Sequence, residues 1–171
     1  MDLGDCRELL GHAEWADSVV WKAVLALGEE DAELRSKLHH LHLVQWSYLH
    51  IWRGEPVRPR ELATFQRLSA IRGWAREYYR ELTAYLAGLQ PSALAREVRF
   101  PWADRLVQQF GVAKPASWGE SVVQVAMHNS YHRGQVARRI REQGGESPLS
   151  DYIAWIWQGR PGADWGGEDA A

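Results

Sequence analysis

Two histidines four positions apart, His128 and His132, are the side chains in this sequence best suited to metal chemistry. They lie in the stretch VVQVAMHNSYHRGQVARRIREQ (residues 122–143), whose apolar residues recur at helical spacing. Positions four apart on an α-helix differ by about 40° around its axis, so both imidazoles project from one face. Two imidazoles on one face can bind a single cation. The stretch therefore predicts a helix with two metal ligands at the border between its apolar stripe and its polar side.

A third ligand must come from a neighbouring helix, and the segment 31–53 carries four of the seven histidines. Its leucine and aromatic residues form one apolar stripe, which leaves His39 and His50 on the opposite side, facing solvent. His40 lies at one edge of that stripe, and His42 lies beyond the other edge. Because His128 and His132 lie at the edge of the apolar stripe of their helix, the third ligand should lie at an equivalent edge of the neighbouring helix. His40 is therefore the predicted third ligand, with His42 as the alternative.

Three imidazoles leave at least one coordination position for water or a substrate, which is typical of catalytic sites. Such an ion could lower the pKa of a bound water or hold a thiol as its thiolate, and either would supply a nucleophile. Gln124, Asn129 and Gln135 are polar residues on or near the ligand face, and they are candidates to orient the imidazoles or waters. His12 falls inside an apolar stripe and is interpreted as a core histidine, with a role as fourth ligand left open.

Four helical segments should position these residues. Apolar spacing and end signals predict helices over about 5–27, 31–53, 61–88 and 118–143. Ser117 and Glu120 form a capping-box pattern before the last of them, and Gly144-Gly145 ends it. The sequence thus predicts an all-α fold in a single domain over residues 1–160.

The connection over residues 90–116 is unusually long and carries three prolines, so we expect it to cross the bundle or cover a functional site. Its alternating piece at 97–102 predicts an extended segment or a single edge strand. A short helix is predicted at 151–158, with Ser150 as its cap. Residues 161–171, rich in Gly, Asp and Ala, are expected to form a loose tail.

The composition limits the classes of partner. The 171 residues are 46% hydrophobic, which is enough for one well-buried core, and the net charge is −2. No nucleic-acid partner and no membrane association are expected, and the N-terminus lacks the pattern of a signal peptide, so the expected location is cytoplasmic. The lone Cys6 is interpreted as an incidental half-buried thiol. The ten tryptophans are expected mainly in packing, with some lining an apolar pocket as the alternative.

The run HNSYHRGQVARRIREQGG followed by SPLSDYIAW closely resembles the C-terminal signature of the DinB family. The segments HLHLVQWSYLHIWRG and GHAEWADSVVWKAV also resemble the second and first helices of that family. The resemblance implies a four-helix bundle with a long crossover between helices 3 and 4. It also implies a metal held by one histidine of the second helix and by the pair His128 and His132. The family spacing from Gly54 points to His40, with His39 and His42 beside it as alternatives.

The resemblance implies less about activity than about fold. Similar proteins include transferases and isomerases that use bacillithiol, mycothiol or glutathione. We therefore predict a divalent-metal-dependent enzyme, a thiol S-transferase or a hydrolase, that activates a low-molecular-weight thiol or water against a small electrophilic substrate. Zinc or nickel is the expected ion, with iron or manganese as alternatives, and a homodimer is expected. The alternative function is a non-catalytic metal-binding protein of the stress response.

Overall fold

The computed structural model describes residues 1–28 and 30–166, and it is dominated by helices. In chain order the elements are α1 (Leu3–Ala26), α2 (Ala32–Arg53), α3 (Leu68–Ala87), β1 (Glu97–Val98), α4 (Ala103–Phe110), β2 (Ala116–Ser117), α5 (Trp118–Glu142) and α6 (Tyr152–Trp157). Short 3₁₀ turns at Leu62–Thr64 and Pro91–Ala95 complete the list. The all-α prediction is confirmed, with four long helices and a long connection between α3 and α5.

The long helices begin where the sequence supplies caps. The side chain of Asp31 accepts a hydrogen bond from the Leu34 amide and so starts α2. Ser117 and Glu120 exchange hydrogen bonds with each other's backbone amides, which confirms the predicted capping box of α5. These bonds satisfy amide groups that have no partner inside the helix. The predicted bounds of both helices are therefore correct to within a residue or two.

The helices pair in an order that differs from their order in the chain. Helix α5 packs against both α1 and α2, and α3 packs against the same two helices, so α1 and α2 occupy opposite corners. The Nε1 atom of Trp52 donates to Ser121 at one end of the α2–α5 pair, and Arg139 is paired with Asp31 at the other. Helices α2 and α5 are therefore antiparallel.

Two large apolar clusters lie in the described part of the bundle, one towards each end, and a smaller third one joins α1 to α6. The first includes Leu10, Leu49 and Val122, and the second includes Leu38 and Ile140. Each of the four long helices also contributes a buried side chain with a polar group to the interior, namely Asp17, Gln45, Tyr79 and Arg133. Trp21, Trp52 and Trp118 are fully buried, as a packing role predicts, and Cys6 is fully buried rather than half-buried.

Helix α3 begins later than predicted. Residues 61–67 form a 3₁₀ turn and a bend instead of the first two turns of a helix. Phe65 is nevertheless buried, which is why the apolar spacing continues through a segment that is not helical. The amide of Leu68 at the start of α3 donates to the carboxylate of Glu30, so a side chain from the α1–α2 loop caps the helix.

The long connection contains the helix α4, which the sequence analysis did not predict. The extended segment predicted at 97–102 is present only as the two residues of β1, which pair with β2. None of the α4 residues is buried, and Leu106, Val107 and Phe110 are exposed. Its apolar residues do not continue a core stripe, so the pattern of the neighbouring helices does not reveal it.

The C-terminal residues as far as 166 are docked on the bundle rather than loose. The Nε1 atom of Trp155 donates to the carbonyl of Pro161, and Asp164 pairs with Lys22. Trp165 packs on Tyr79 and donates to Glu14. The expectation of a loose tail is therefore wrong for residues 161–166, and its remainder, 167–171, lies outside the described residues. Within 1–28 and 30–166, every helix is too short or too polar to cross a lipid bilayer.

Substitution by alanine should have opposite effects on stability at two glycines, one inside α5 and one just after its end. Gly134 lies inside the helix, and an added Cβ would meet nothing within 4 Å. Gly134→Ala should raise the free energy of unfolding by about 0.5–1 kcal/mol, because alanine loses less backbone entropy on folding. Gly144 follows the helix at φ +80°, so Gly144→Ala should lower it by about 1 kcal/mol. Urea unfolding of both variants checks the signs, and equal effects would contradict this account.

Candidate metal centre

The structure brings His40 of α2 together with His128 and His132 of α5. Each offers one ring nitrogen, and these three atoms all lie within 4.8 Å of one another. The ring centroid of His132 is 4.6 Å from that of His40 and 4.3 Å from that of His128. Metal–imidazole bonds of about 2.0–2.1 Å fit a spacing of this size around one ion. The geometry therefore suits a three-imidazole site, as the helix-wheel argument predicts.

The antiparallel pairing of α2 and α5 produces this convergence. The bond from Trp52 to Ser121 and the pair between Arg139 and Asp31 hold the two helices near their ends. The three histidines lie between these two attachments. His40 is exposed, whereas His128 and His132 are half-buried. The cluster is consequently buried on its inner side and open to solvent on its outer side.

Burial in the cluster keeps the imidazoles of His128 and His40 neutral. Burial, together with the neighbouring His132 and His40, lowers the pKa of His128 to about 4. Burial and the ring of His132 also lower the pKa of His40. Neutral imidazole is the form that binds a metal, so both rings have a lone pair available at neutral pH.

His128 and His132 each have a ring nitrogen without a competing hydrogen bond among the described residues. The Nδ1 atom of His132 lies 3.1 Å from the Oε1 atom of Gln135, which can only accept, so Nδ1 carries the proton and Nε2 is left as a ligand. The Nε2 atom of His128 is buried and has no hydrogen-bond partner among the described residues. A buried nitrogen without a partner is costly, and a bound cation would satisfy it. The residues present therefore fit a metal ion.

His39 and His42 lie elsewhere in the bundle. His39 is only 8% exposed, so the prediction that it faces solvent is wrong. Its Nε2 atom donates to the carbonyl of Arg60, and its ring stacks on Trp74 of α3. His42 is fully buried, with Nε2 accepting from Trp21 and Nδ1 donating to Gln45. Both nitrogens of His42 are occupied, which removes it as an alternative ligand in this arrangement.

His12 and His50 do not join the cluster either. The Nε2 atom of His12 donates to the carbonyl of Ser150, and its ring packs between α1 and α6 near Trp155. This is the environment expected of a core histidine. His50 is half-buried beside Trp46 rather than fully facing solvent. Among the described residues the metal-ligating group therefore consists of three histidines, with no carboxylate, thiol or fourth imidazole.

The three polar residues proposed to orient the ligands have different environments. Gln135 contacts His132 as expected. Gln124 is exposed, and no contact places it on an imidazole. Asn129 is fully buried, and neither atom of its amide has a hydrogen-bond partner among the described residues. Of the three, only Gln135 therefore has the contact that an orienting role requires.

The sequence analysis missed a buried ion pair next to the cluster. Arg133, which directly follows His132, donates to Asp17 of α1 over 3.0 Å, and both side chains are almost fully buried. A usable signal was present, because Arg133 falls in the apolar stripe of α5 with Val136 and Ile140. A charged residue in such a stripe predicts a partner of opposite charge in another helix.

A sequence profile of the DinB family matches residues 2–163, which is nearly the whole chain and includes all three clustered histidines. The chain belongs to the DinB family. Comparison with individually curated proteins gives no significant match. For this DinB protein, family membership and the histidine cluster together fit the binding of a divalent metal.

The depressed pKa of His128 makes the metal-free protein sensitive to acid. Its value of about 4 in the folded chain lies below the 6.5 of an unperturbed histidine, so unfolding takes up a proton between these values. The free energy of unfolding should therefore fall as the pH drops from about 6.5 towards 4. Urea unfolding of metal-free protein across this range measures the fall. The His128→Asn variant cannot titrate at this position, so its free energy of unfolding should fall less over the same pH range. An equal fall in the variant and the wild type would contradict the lowered pKa of His128.

Proposed function

We propose that this protein is a divalent-metal-dependent enzyme in which His40, His128 and His132 are the ligands. The observation that carries the proposal is the convergence of three imidazoles from two helices, with no fourth protein ligand among the described residues. Structural zinc sites are normally closed by four protein ligands, whereas catalytic sites keep a position open. The exposed side of the cluster at His40 is where a substrate could approach.

The donor set favours particular metals. Three neutral imidazoles without a carboxylate suit zinc, nickel or ferrous iron, whereas magnesium and calcium prefer oxygen ligands. We propose zinc or nickel, with iron or manganese as alternatives. When bound, such an ion would lower the pKa of a water or thiol at the open position and so supply a nucleophile near neutral pH.

The side chains around the cluster would prepare the site for this chemistry. The bond from His132 to Gln135 fixes which nitrogen of the ring faces the ion. Burial keeps His128 unprotonated. Met127 and Tyr131 of α5 are both exposed, and the Tyr131 ring lies 5.1 Å from that of His132. They offer an apolar surface beside the ligands for a small electrophilic substrate.

Metal uptake tests the ligand assignment. His40→Ala, His128→Ala and His132→Ala should each abolish stoichiometric uptake of zinc or nickel, because two imidazoles hold the ion too weakly. All three variants should stay helical, since none of the three side chains belongs to the apolar core. Elemental analysis after dialysis, with circular dichroism, measures both properties. His39→Ala is the matched control because it removes the adjacent imidazole, and it should keep full metal content. Full metal content in a His128→Ala or His132→Ala protein would overturn the assignment.

A screen of metal-loaded protein tests the catalytic proposal. Glutathione, bacillithiol and mycothiol serve as thiol donors against electrophilic acceptors, and hydrolysis of activated esters and amides is followed in parallel. The wild-type protein should turn over at least one pair, and His128→Ala should reduce that rate by about a hundredfold or more, since the activated nucleophile is lost. A protein that binds metal stoichiometrically but turns over no substrate would instead favour the non-catalytic metal-binding alternative.

A further inference from the structure

We propose that the buried ion pair between Asp17 and Arg133 is a positioning device for the metal centre. It fixes the rotation of α5 about its own axis, and with it the spacing of the ligand nitrogens. The inference rests on the proposed metal-binding function, because it assigns a role in that site to residues that do not touch the ion.

The carboxylate of Asp17 is the common acceptor of a polar network in the middle of the bundle. It accepts from the guanidinium of Arg133 over 3.0 Å, from the hydroxyl of Tyr79 over 2.5 Å and from the amide of Gln45 over 2.7 Å. The exposed fractions of these four side chains are 3% or less. Each comes from a different long helix. One carboxylate therefore connects α1 to α2, α3 and α5 where no solvent competes.

The network continues to the second helix that carries a ligand. The carbonyl oxygen of the Gln45 amide accepts from Nδ1 of His42, whose Nε2 accepts from the indole of Trp21. An indole N–H can only donate, so the tautomer of His42 and the direction of each bond are fixed. His42 is two residues from His40, and Arg133 is next to His132. The same set of bonds is therefore attached to α2 and α5 immediately beside the ligands.

Because of helix geometry, the ion pair between Asp17 and Arg133 controls the position of the ligand atoms on α5. Arg133 and His132 point about 100° apart around α5, so the pair with Asp17 holds the helix from the side turned away from the ion. A ligand atom about 6 Å from the helix axis moves by about 1 Å when the helix rotates by 10°. Metal–ligand distances tolerate only about 0.2 Å. A small rotation of α5 is therefore enough to move the ligand nitrogens by more than a metal site tolerates.

The energetics of burial also favour a positioning role over a stabilising one. Removing two charges from water costs about as much as their attraction returns, and apolar replacements of similar size often fold equally well. Valine and isoleucine residues occupy the neighbouring core positions of α5. Stability alone would be served by continuing that stripe. The charged pair instead fixes the orientation of α5, because its hydrogen bonds form at only one rotation of the helix.

The test replaces the pair without leaving a lone buried charge. In Asp17→Leu/Arg133→Met, both charged partners become apolar, so the thermal midpoint should fall only by what the buried donors of Gln45 and Tyr79 lose with their acceptor, and the protein should stay folded. The dissociation constant for zinc should nevertheless rise roughly tenfold, as it does when supporting residues of metal sites are changed. The visible absorption spectrum of the cobalt-substituted protein should change as well, because it reports ligand geometry rather than stability.

Ile140→Val is the matched control, because it disturbs a fully buried core position of α5 and leaves the ion pair intact. It should lower the thermal midpoint and leave both zinc affinity and the cobalt spectrum unchanged. Wild-type affinity and spectrum in the double variant would overturn the positioning role while leaving the ligand assignment standing. Failure of the wild type itself to bind zinc or cobalt would overturn the proposed function, and this inference with it.

Tyr79→Phe provides a second test if the double variant does not fold. It removes one hydrogen bond to Asp17 from α3, a helix that carries none of the three ligands. Zinc affinity should fall by less than in the double variant, and the cobalt spectrum should shift in the same direction. A Tyr79→Phe protein with wild-type affinity and spectrum would contradict the positioning role.

Discussion

A carboxylate and a guanidinium paired at the centre of the bundle set the arrangement of the helices around them. Neither Asp17 nor Arg133 can be left buried alone, because an unpaired charge in the interior costs several kcal/mol. Helices α1 and α5 must therefore present these two residues to each other. In that orientation of α5, His128 and His132 lie along its border with α2, next to His40. The location of the histidine cluster follows from an interaction on a different side of the same helix.

The histidine cluster combines two environments that a catalytic metal needs. On the bundle side it is buried, so burial keeps the pKa of His128 low, and the Nε2 atom of His128 has no hydrogen-bond partner among the described residues. On the outer side it is open at His40, and no fourth side chain among the described residues closes it. Two other candidates, His12 and His42, have their nitrogens committed to Ser150, Trp21 and Gln45. The bundle thus separates its histidines: His12, His39 and His42 are held by hydrogen bonds to other residues, whereas the Nε2 atom of His128 has no hydrogen-bond partner among the described residues.

The sequence predicted most where a residue's role depends on its own helix. The bounds of α2 and α5 followed from Asp31 and Ser117, and the choice of His40 followed from its place at a stripe edge. It predicted least where a second element decides. His39 lies on the side of α2 facing away from that stripe, but Phe65 and Trp74 cover it, and no helix wheel of α2 contains them. The docked residues 161–166 were missed for the same reason, since their contacts lie on distant parts of the chain, whereas α4 was missed because none of its residues is buried in the core.

The side chain of Asp31 connects the N-terminus of α2 to the C-terminus of α5, the two helices that carry the clustered histidines. Its carboxylate caps the first turn of α2 through the Leu34 amide, and it also accepts from Arg139 and Gln143 in the last turn of α5 and just beyond it. If either of these helix ends frays, Asp31 loses hydrogen bonds that also hold the end of the other helix. The beginning of α2 and the end of α5 are therefore expected to open together, and amide hydrogen exchange at the two ends is expected to be coupled.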